Sequence, residues 1–351
     1  MNTRGKVLKA LPAGTDATIS DVAERAGVSL RTVSRVINES PLVNDETRQR
    51  VQRVIDSLKY RPSLRARALA SNQSFMIGLV HDDPNAVVID HVQRGLFSIC
   101  TKRRYELVVH PCQFGSASLV ENVIDFARGT RIDGLVIVPP VAETAGLAEA
   151  LRTHGIPAVG IASVPIPHYG LMLVPRERAA VASIANYLVS LGHRRLGLVS
   201  GPTKFKSAAE RSAGFLEALA KHGITVLPHH IRQGDYEFAS GMSCAAEILS
   251  QPDRPTAIFA SNDRMAAGVL KVAAQLGIHV PQQLSVVGFD DSIFASMLNP
   301  GLTTVNRPMK LLAEQAGRWL TDPTRLASDA EPPTFTDLGI VIRESTGIAP
   351  T

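Results

Sequence analysis

The sequence predicts a small all-α unit followed by an α/β core of two lobes, each built on a doubly wound parallel sheet. Three observations carry this. A helical, short-looped pattern runs from Ile19 to Tyr60 and is broken by Arg61-Pro62. Beyond Phe75 the texture changes to short aliphatic runs alternating with amphipathic segments. The positive charge is confined to the front: residues 1–75 hold 13 Lys and Arg against 7 Asp and Glu, and the remaining 276 hold 24 against 25. A segregated basic segment is what phosphate neutralisation requires.

At 351 residues, 45% hydrophobic and 20% charged, the chain has the balance of a globular protein and can bury two substantial cores. Its three cysteines, Cys100, Cys112 and Cys244, are an odd number without disulfide or zinc spacing, which points to buried thiols in a reducing compartment. No apolar run has signal-peptide or bilayer length, so a cytoplasmic location is expected.

The first unit, residues 1–60, divides into helices over 19–26, 30–38 and 45–59. Thr18 can cap the first, whose Ile19, Val22 and Ala23 form the apolar face; Gly27 suits the tight turn that follows. Ser29 can cap the second, where Val33, Val36 and Ile37 face inward at helical spacing. This is a helix-turn-helix pattern, in which the N-terminal end of the second helix meets base edges in the major groove. Leu30 and Arg31 are therefore the specificity candidates. Ser29, Thr32, Ser34, Arg35 and Asn38 suit phosphate contacts or the groove flank; a helical hairpin with a polar outer face is the plainer reading. Residues 61–74 follow as a hinge. Its basic, Ala/Leu-rich stretch 63–70 is too short to be a stable helix alone and is expected to fold on DNA. Leu69 beside Ala66, rimmed by Arg65 and Arg67, suits a minor-groove wedge, the alternative being a plain linker.

In the core, residues 75–351, unbroken branched runs occur at 77–80, 107–109, 135–138, 158–161, 196–199, 257–260 and 284–289. Such runs read as strands buried on both faces. Helical segments at 179–191, 208–222 and 265–276 separate them, with Gly192 and Gly277 as stops. The alternation implies parallel sheets, and its length implies two of them with a ligand cleft between.

Several blocks together carry a family resemblance. They are DVAERAGVS and TVSRVIN, Tyr60-Arg-Pro-Ser, Leu191-Gly-His, Glu210-Arg-Ser-Ala-Gly-Phe215 and the stretch from Phe259 through Ser-Asn-Asp to Gly268. Ser285-Val-Val-Gly-Phe-Asp-Asp291, Leu302-Thr-Thr-Val305 and Arg343-Glu-Ser-Thr346 follow in order. From Thr18 to Gly347 the chain resembles the lactose/galactose repressor family of bacterial regulators. The resemblance implies a headgroup, a hinge helix and a dimerising core of two periplasmic-binding-protein-like lobes. A small effector, usually a sugar, would bind between the lobes and change operator affinity.

It further implies crossovers that put about 75–174 and 306–330 in lobe one, and 175–305 with 331–351 in lobe two. A homodimer is expected, because the chain stops soon after Gly347 without a leucine-rich tail. Carried over singly, Arg211 is the ligand-gripping arginine, and Asn262 and Asp290 follow strand ends at the crevice. Tyr236 stands where relatives place a stacking aromatic, and Asp82 and Arg307 complete the effector set; for each, capping or lobe packing is the alternative. Val88, Ile89 and Ala162 depart from the aromatic or polar residues of many relatives, and Arg176 replaces a common aspartate.

No nucleophile with a base, metal cluster, Walker loop or G-x-G-x-x-G is found, so the expectation is a binding protein without catalytic residues, metal or cofactor. His193 is expected to be structural, closing the turn before the strand at Leu196. A solute-binding protein of a transport system would share the core but lack the basic headgroup. An activator of the same family would share both.

Overall fold

The computed structural model describes residues 17–37, 40, 42–60, 73–82, 86–322, 324 and 331–351. The chain forms two compact units, Met1–Phe75 and Met76–Thr351.

Within the first unit lie α1 (Ile19–Ala26), α2 (Leu30–Ile37) and α3 (Asp45–Ser57). Thr18 and Asp21 close a reciprocal capping box: Thr18 Oγ1 accepts from the Asp21 amide, and Asp21 Oδ2 accepts from the Thr18 amide at 2.8 Å. Gly27, at φ 63°, makes the left-handed stop of α1 that a side chain would strain. Ser29 Oγ accepts from the Thr32 amide at 3.1 Å, and Asn44 Oδ1 accepts from the Thr47 amide at 2.9 Å. Val22, Val33, Val36, Val51 and Tyr60 are buried together in a small core. Helix α3 stops two residues before the expected Lys59, because Lys59 turns left-handed at φ 51°. Asn38, and the hinge residues Ala66 and Leu69, lie outside the described residues.

Among the described residues the second unit carries three sheets. The first is six-stranded and parallel, ordered β11–β5–β4–β3–β1–β2. Its strands are β1 (Met76–His81), β2 (Glu106–Pro111), β3 (Gly134–Ile137), β4 (Ala158–Ile161), β5 (Leu171–Pro175) and β11 (Thr334–Thr336). The second is four-stranded and parallel, ordered β7–β6–β8–β9, from β6 (Leu196–Ser200), β7 (Ile231–Gln233), β8 (Ala257–Ala260) and β9 (Ser285–Val287). In the third, β10 (Thr304–Asn306) pairs antiparallel with β12 (Gly339–Val341).

The unbroken apolar runs behave as two-faced strands must: β3, β4 and β8 are buried at every residue. Strand β2 departs from this, since it forms the sheet edge and leaves Val109 exposed. The helices that flank the lobe-two sheet include α7 (Glu177–Ser190), α8 (Lys206–Lys221), α9 (Phe238–Leu249) and α10 (Asp263–Gln275). Gly192 and Gly277 follow α7 and α10 at φ 91° and 67°, the left-handed stops the sequence marks. Lobe one carries α4 (Ala86–Arg103), α5 (Leu119–Thr130) and α6 (Leu147–Thr153), and the helix Met309–Leu320 packs with Leu96 of α4 on Ile77 and Leu79 of the six-stranded sheet.

One expected boundary is corrected. Residues 331–351 do not fall wholly in lobe two, because β11 pairs with β5, Thr334 opposite Leu173, and completes the lobe-one sheet. The backbone needs of β5 explain it: as an edge it would leave buried polar groups unpaired, and the Arg176 amide likewise finds Thr336 O at 2.9 Å. The chain returns to lobe two at β12, where Leu338 and Ile340 join the lobe-two core.

His193 is fully buried and holds this end of lobe two together. Its Nδ1 lies 2.9 Å from Thr256 Oγ1, and its Nε2 lies 3.1 Å from both Ser285 Oγ and Gly347 O. Cys100 and Cys244 are buried and Cys112 half-buried, all unbridged. Burial pushes the Cys100 and Cys112 thiols up to about 11, so neither is a ready nucleophile. Among the described residues no helix is long and apolar enough to cross a membrane.

Candidate functional site

Two surfaces carry the expected recognition residues. On α2 the buried face is Val33 and Val36, and the helix turns the opposite side outward. Leu30 is 51% exposed, Ser29 and Arg31 are exposed, and Thr32, Ser34 and Arg35 are half-buried around them. The Leu30 and Arg31 side chains make no hydrogen bond or ion pair with another described residue, whereas the Ser29 hydroxyl is engaged as the cap and lies 2.9 Å from Thr32 Oγ1.

In the core, a cavity of about 610 Å³, including its open mouth, lies between the lobes. Val88, Pro139, Pro140 and Glu143 line it from lobe one. Arg211, Tyr236, Asn262, Asp290 and Arg307, five of the six expected effector residues, line the other side with Phe205, Ser207 and Arg264. Asp82 does not line it. Its carboxylate accepts from the Phe114 amide at 2.5 Å, tying together the loops after β1 and β2.

The polar centre is an ion network built around a residue that the sequence reading passes over, Glu177. Arg211 Nε donates to Glu177 Oε2 at 2.8 Å and Nη1 to Ser261 O at 2.6 Å. Arg307 Nε stands 3.2 Å from the other Glu177 oxygen. Asp290 Oδ1 lies 3.9 Å from Arg211 and 3.7 Å from Arg307. The Arg211 guanidinium also lies over the Phe289 ring, 3.8 Å from its centroid. Two cations and two carboxylates balance in charge.

The two carboxylates are not equivalent. Burial works to raise both, but the close contacts of Glu177 with Arg211 and Arg307 outweigh it and hold that carboxyl below the usual range. For Asp290, burial wins over its longer contacts to the same arginines, and its pKa is raised. Glu177 Oε1, Asp290 Oδ1 and Arg307 Nε are buried without a well-formed hydrogen bond among the described residues. Asp290 and Arg307, which line the cavity, thus bring open polar valences to it, with Glu177 behind them.

Behind it, Asp263 is pushed up to about 7, by burial first and then by the charge of Asp290. Its oxygens accept from Thr304 Oγ1 at 2.5 Å and the Ser292 amide at 2.7 Å. Glu143 is raised by burial and accepts from the Ser163 amide at 2.9 Å.

The remaining polar residues shape the wall. Asn262 Oδ1 caps α10 through the Met265 amide at 2.9 Å, and Nδ2 donates to Tyr236 O at 2.9 Å. That second bond holds Tyr236 in a left-handed backbone, φ 73°. Tyr236 OH lies 3.2 Å from Ser207 Oγ, and its ring is stacked on Phe205 with centroids 5.9 Å apart. A side chain at Gly201 would occupy the Tyr236 phenol's space, so that glycine sets the depth of the pocket. Arg264 is paired with Glu237.

One signal could have found Glu177: it opens α7 in line with Ala180, Val181 and Ile184, an acid on a helix's buried face. Phe205, Ser207 and Arg264 carry no such mark, since their place at the cavity depends on how the starts of α8 and α10 come together.

Residues 18–63 match the description of bacterial regulatory proteins of the lacI family, and residues 185–346 match a periplasmic binding protein-like domain. The chain is 32% identical over 314 residues to catabolite control protein A of Priestia megaterium, spanning 87% of this chain and 92% of that protein. It is 33% identical over 324 residues to the HTH-type transcriptional repressor PurR of an Escherichia coli strain, spanning 90% and 92%. The chain belongs to the lacI family. Its fold agrees with that of the lac repressor dimer bound to operator and the anti-inducer ONPF, with a TM-score of 0.79 and 27% identity over 95% of this chain and 100% of that one. The complex of the transcriptional regulator CelR with cellobiose is similar at a TM-score of 0.69 and 26% identity, over 94% and 99%. This lacI-family chain is a ligand-controlled DNA-binding regulator with a helix-turn-helix headgroup and a two-lobed core.

Proposed function

We propose that this lacI-family regulator is a homodimeric repressor whose operator affinity is set by a neutral, polyhydroxylated ligand of the sugar class, held between its lobes. The observation that carries the ligand class is that Arg211, Arg307 and Asp290 at the cavity, with Glu177 buried behind them, balance in charge among themselves. A charged ligand would unbalance that buried set, whereas hydroxyl groups both donate and accept and can meet its open valences. Phe205 and Tyr236 add aromatic, apolar wall to the cavity, against which the carbon skeleton of a sugar can pack. The CelR complex with cellobiose supports the same class.

On the DNA side, Leu30 and Arg31 read base edges. Ser29, Thr32, Ser34, Arg35 and Asn38 meet phosphates or the groove flank, and Ala66 and Leu69 enter the minor groove. The lac repressor dimer bound to operator supports operator binding and the dimer. Control requires only that the ligand favour one arrangement of the protein over the other, so no bond is made or broken.

The test is thermal unfolding of the full chain against neutral mono- and disaccharides, sugar acids and purines. A neutral sugar is expected to stabilise by mass action. Arg211→Ala is expected to abolish that gain while operator binding persists, with Arg211→Lys intermediate. Preferential stabilisation by sugar acids, or a gain retained in Arg211→Ala, overturns the reading.

A further inference from the structure

His229 and His230 end a single 3-10 turn, Pro228–His230, just before β7, and Asp253 stands in the loop between α9 and β8. None of the three lines the ligand cavity. A nitrogen from each ring and a carboxylate oxygen all lie within 4.8 Å of one another. His229 Nε2 is 3.0 and 3.1 Å from the two Asp253 oxygens, and His230 Nε2 is 3.5 Å from the second of them. The two rings meet nearly edge to face, at 73° with centroids 4.4 Å apart.

A hydrogen-bonded His229–Asp253 pair would account for part of this arrangement. It leaves His230 unexplained. That side chain is 1% exposed, and its Nε2 is buried without a hydrogen-bond partner among the described residues, although it faces the Asp253 carboxylate. Proteins rarely leave a buried imidazole nitrogen open, because nothing then replaces the water it lost.

A cation at the centre of the cluster would satisfy it. Donors at zinc bond lengths on a tetrahedral ion sit about 3.4 Å apart, close to the observed 3.0 and 3.5 Å. Imidazole nitrogen suits borderline transition ions better than calcium or magnesium, which prefer all-oxygen shells. His229 and Asp253 are 40% and 45% exposed, so an ion can enter from solvent and keep water in the remaining position. The third ligand arrives 24 residues after His229 on a separate loop, which is why the histidine spacing alone carries no metal pattern.

We propose that His229, His230 and Asp253 form a binding site for one divalent transition-metal ion of the zinc class on lobe two. The test is a zinc chloride titration of the full chain in competition with a chromophoric chelator, alongside thermal unfolding. One ion per chain and a raised unfolding temperature are expected. His229→Gln and Asp253→Asn, both at partly exposed positions, are each expected to weaken zinc binding by roughly a hundredfold or more. Cobalt(II) is expected to give visible absorption bands of a four- or five-coordinate ion that both variants lose. Unchanged affinity in both variants, or no ion bound at micromolar zinc, overturns the proposal.

Discussion

Leu30 on the headgroup helix is 51% exposed, whereas Arg211 and Arg307 in the cleft are 3% and 8% exposed and each approaches both Glu177 and Asp290. The headgroup therefore holds the side chains proposed to read DNA free for a partner. The cleft holds the arginines proposed to grip a ligand already engaged by buried carboxylates. An exposed reader can be changed with little loss of fold, because its interactions arise only on binding. A buried one is part of the fold, and its removal leaves an uncompensated charge in the interior.

The sharpest way to break this contrast is Glu177→Ala, which strips both arginines of their nearest carboxylate. Breaking a buried pair by removing one partner costs roughly 3–5 kcal/mol, so the unfolding midpoint of the core should fall steeply. An unchanged midpoint would mean that solvent already screens the network. Next comes pH. Asp263 is raised to about 7 from an unfolded value of 3.8, so the folded state holds a proton that the unfolded state releases. The resulting stability is fully present below pH 3.8 and is lost as pH rises through about 7. Asp263→Asn should flatten that part of the stability profile measured by urea unfolding from pH 4 to 8.

On the headgroup, Arg31→Ala should leave the unfolding midpoint within experimental scatter. Operator binding should weaken by roughly 1–3 kcal/mol and preference should relax at one base position in a binding-site selection. Uniform weakening with preference intact would instead assign Arg31 to phosphate. The smallest effect is on the capping box: Thr18→Ala should cost about 1 kcal/mol of headgroup stability, read from its own thermal transition.

The same contrast explains what could be read from the residues alone. The outer face of α2 is a property of eight consecutive residues, and Val33 and Val36 mark its buried side by period. The lobe strands were equally legible, since 158–161 and 257–260 are unbroken apolar runs that became buried strands. The cleft was legible where a family motif marks it, at Arg211, Asn262 and Asp290. At Glu177 the residues mark only an acid on the buried face of α7, not its partners, which are 34 residues away at Arg211 and farther still at Arg307. Asn262 shows a further limit. Its position at a strand end was evident, but not that both ends of its amide are engaged by the α10 cap and Tyr236. Strand β11 eluded the reading because Thr334–Thr336 has no buried run to betray it.

That last strand also governs the order in which the molecule can be made. Strand β5 ends at Pro175, yet its neighbour begins at Thr334. At translation speeds of roughly 5–20 residues per second, the intervening chain takes on the order of ten to thirty seconds to emerge. Throughout that interval the first lobe has an open edge at β5, available to any other unpaired strand. The newborn first lobe thus waits for two late arrivals, the helix Met309–Leu320 that fills its core and then β11, and the C-terminal segment acts as the latch that closes it.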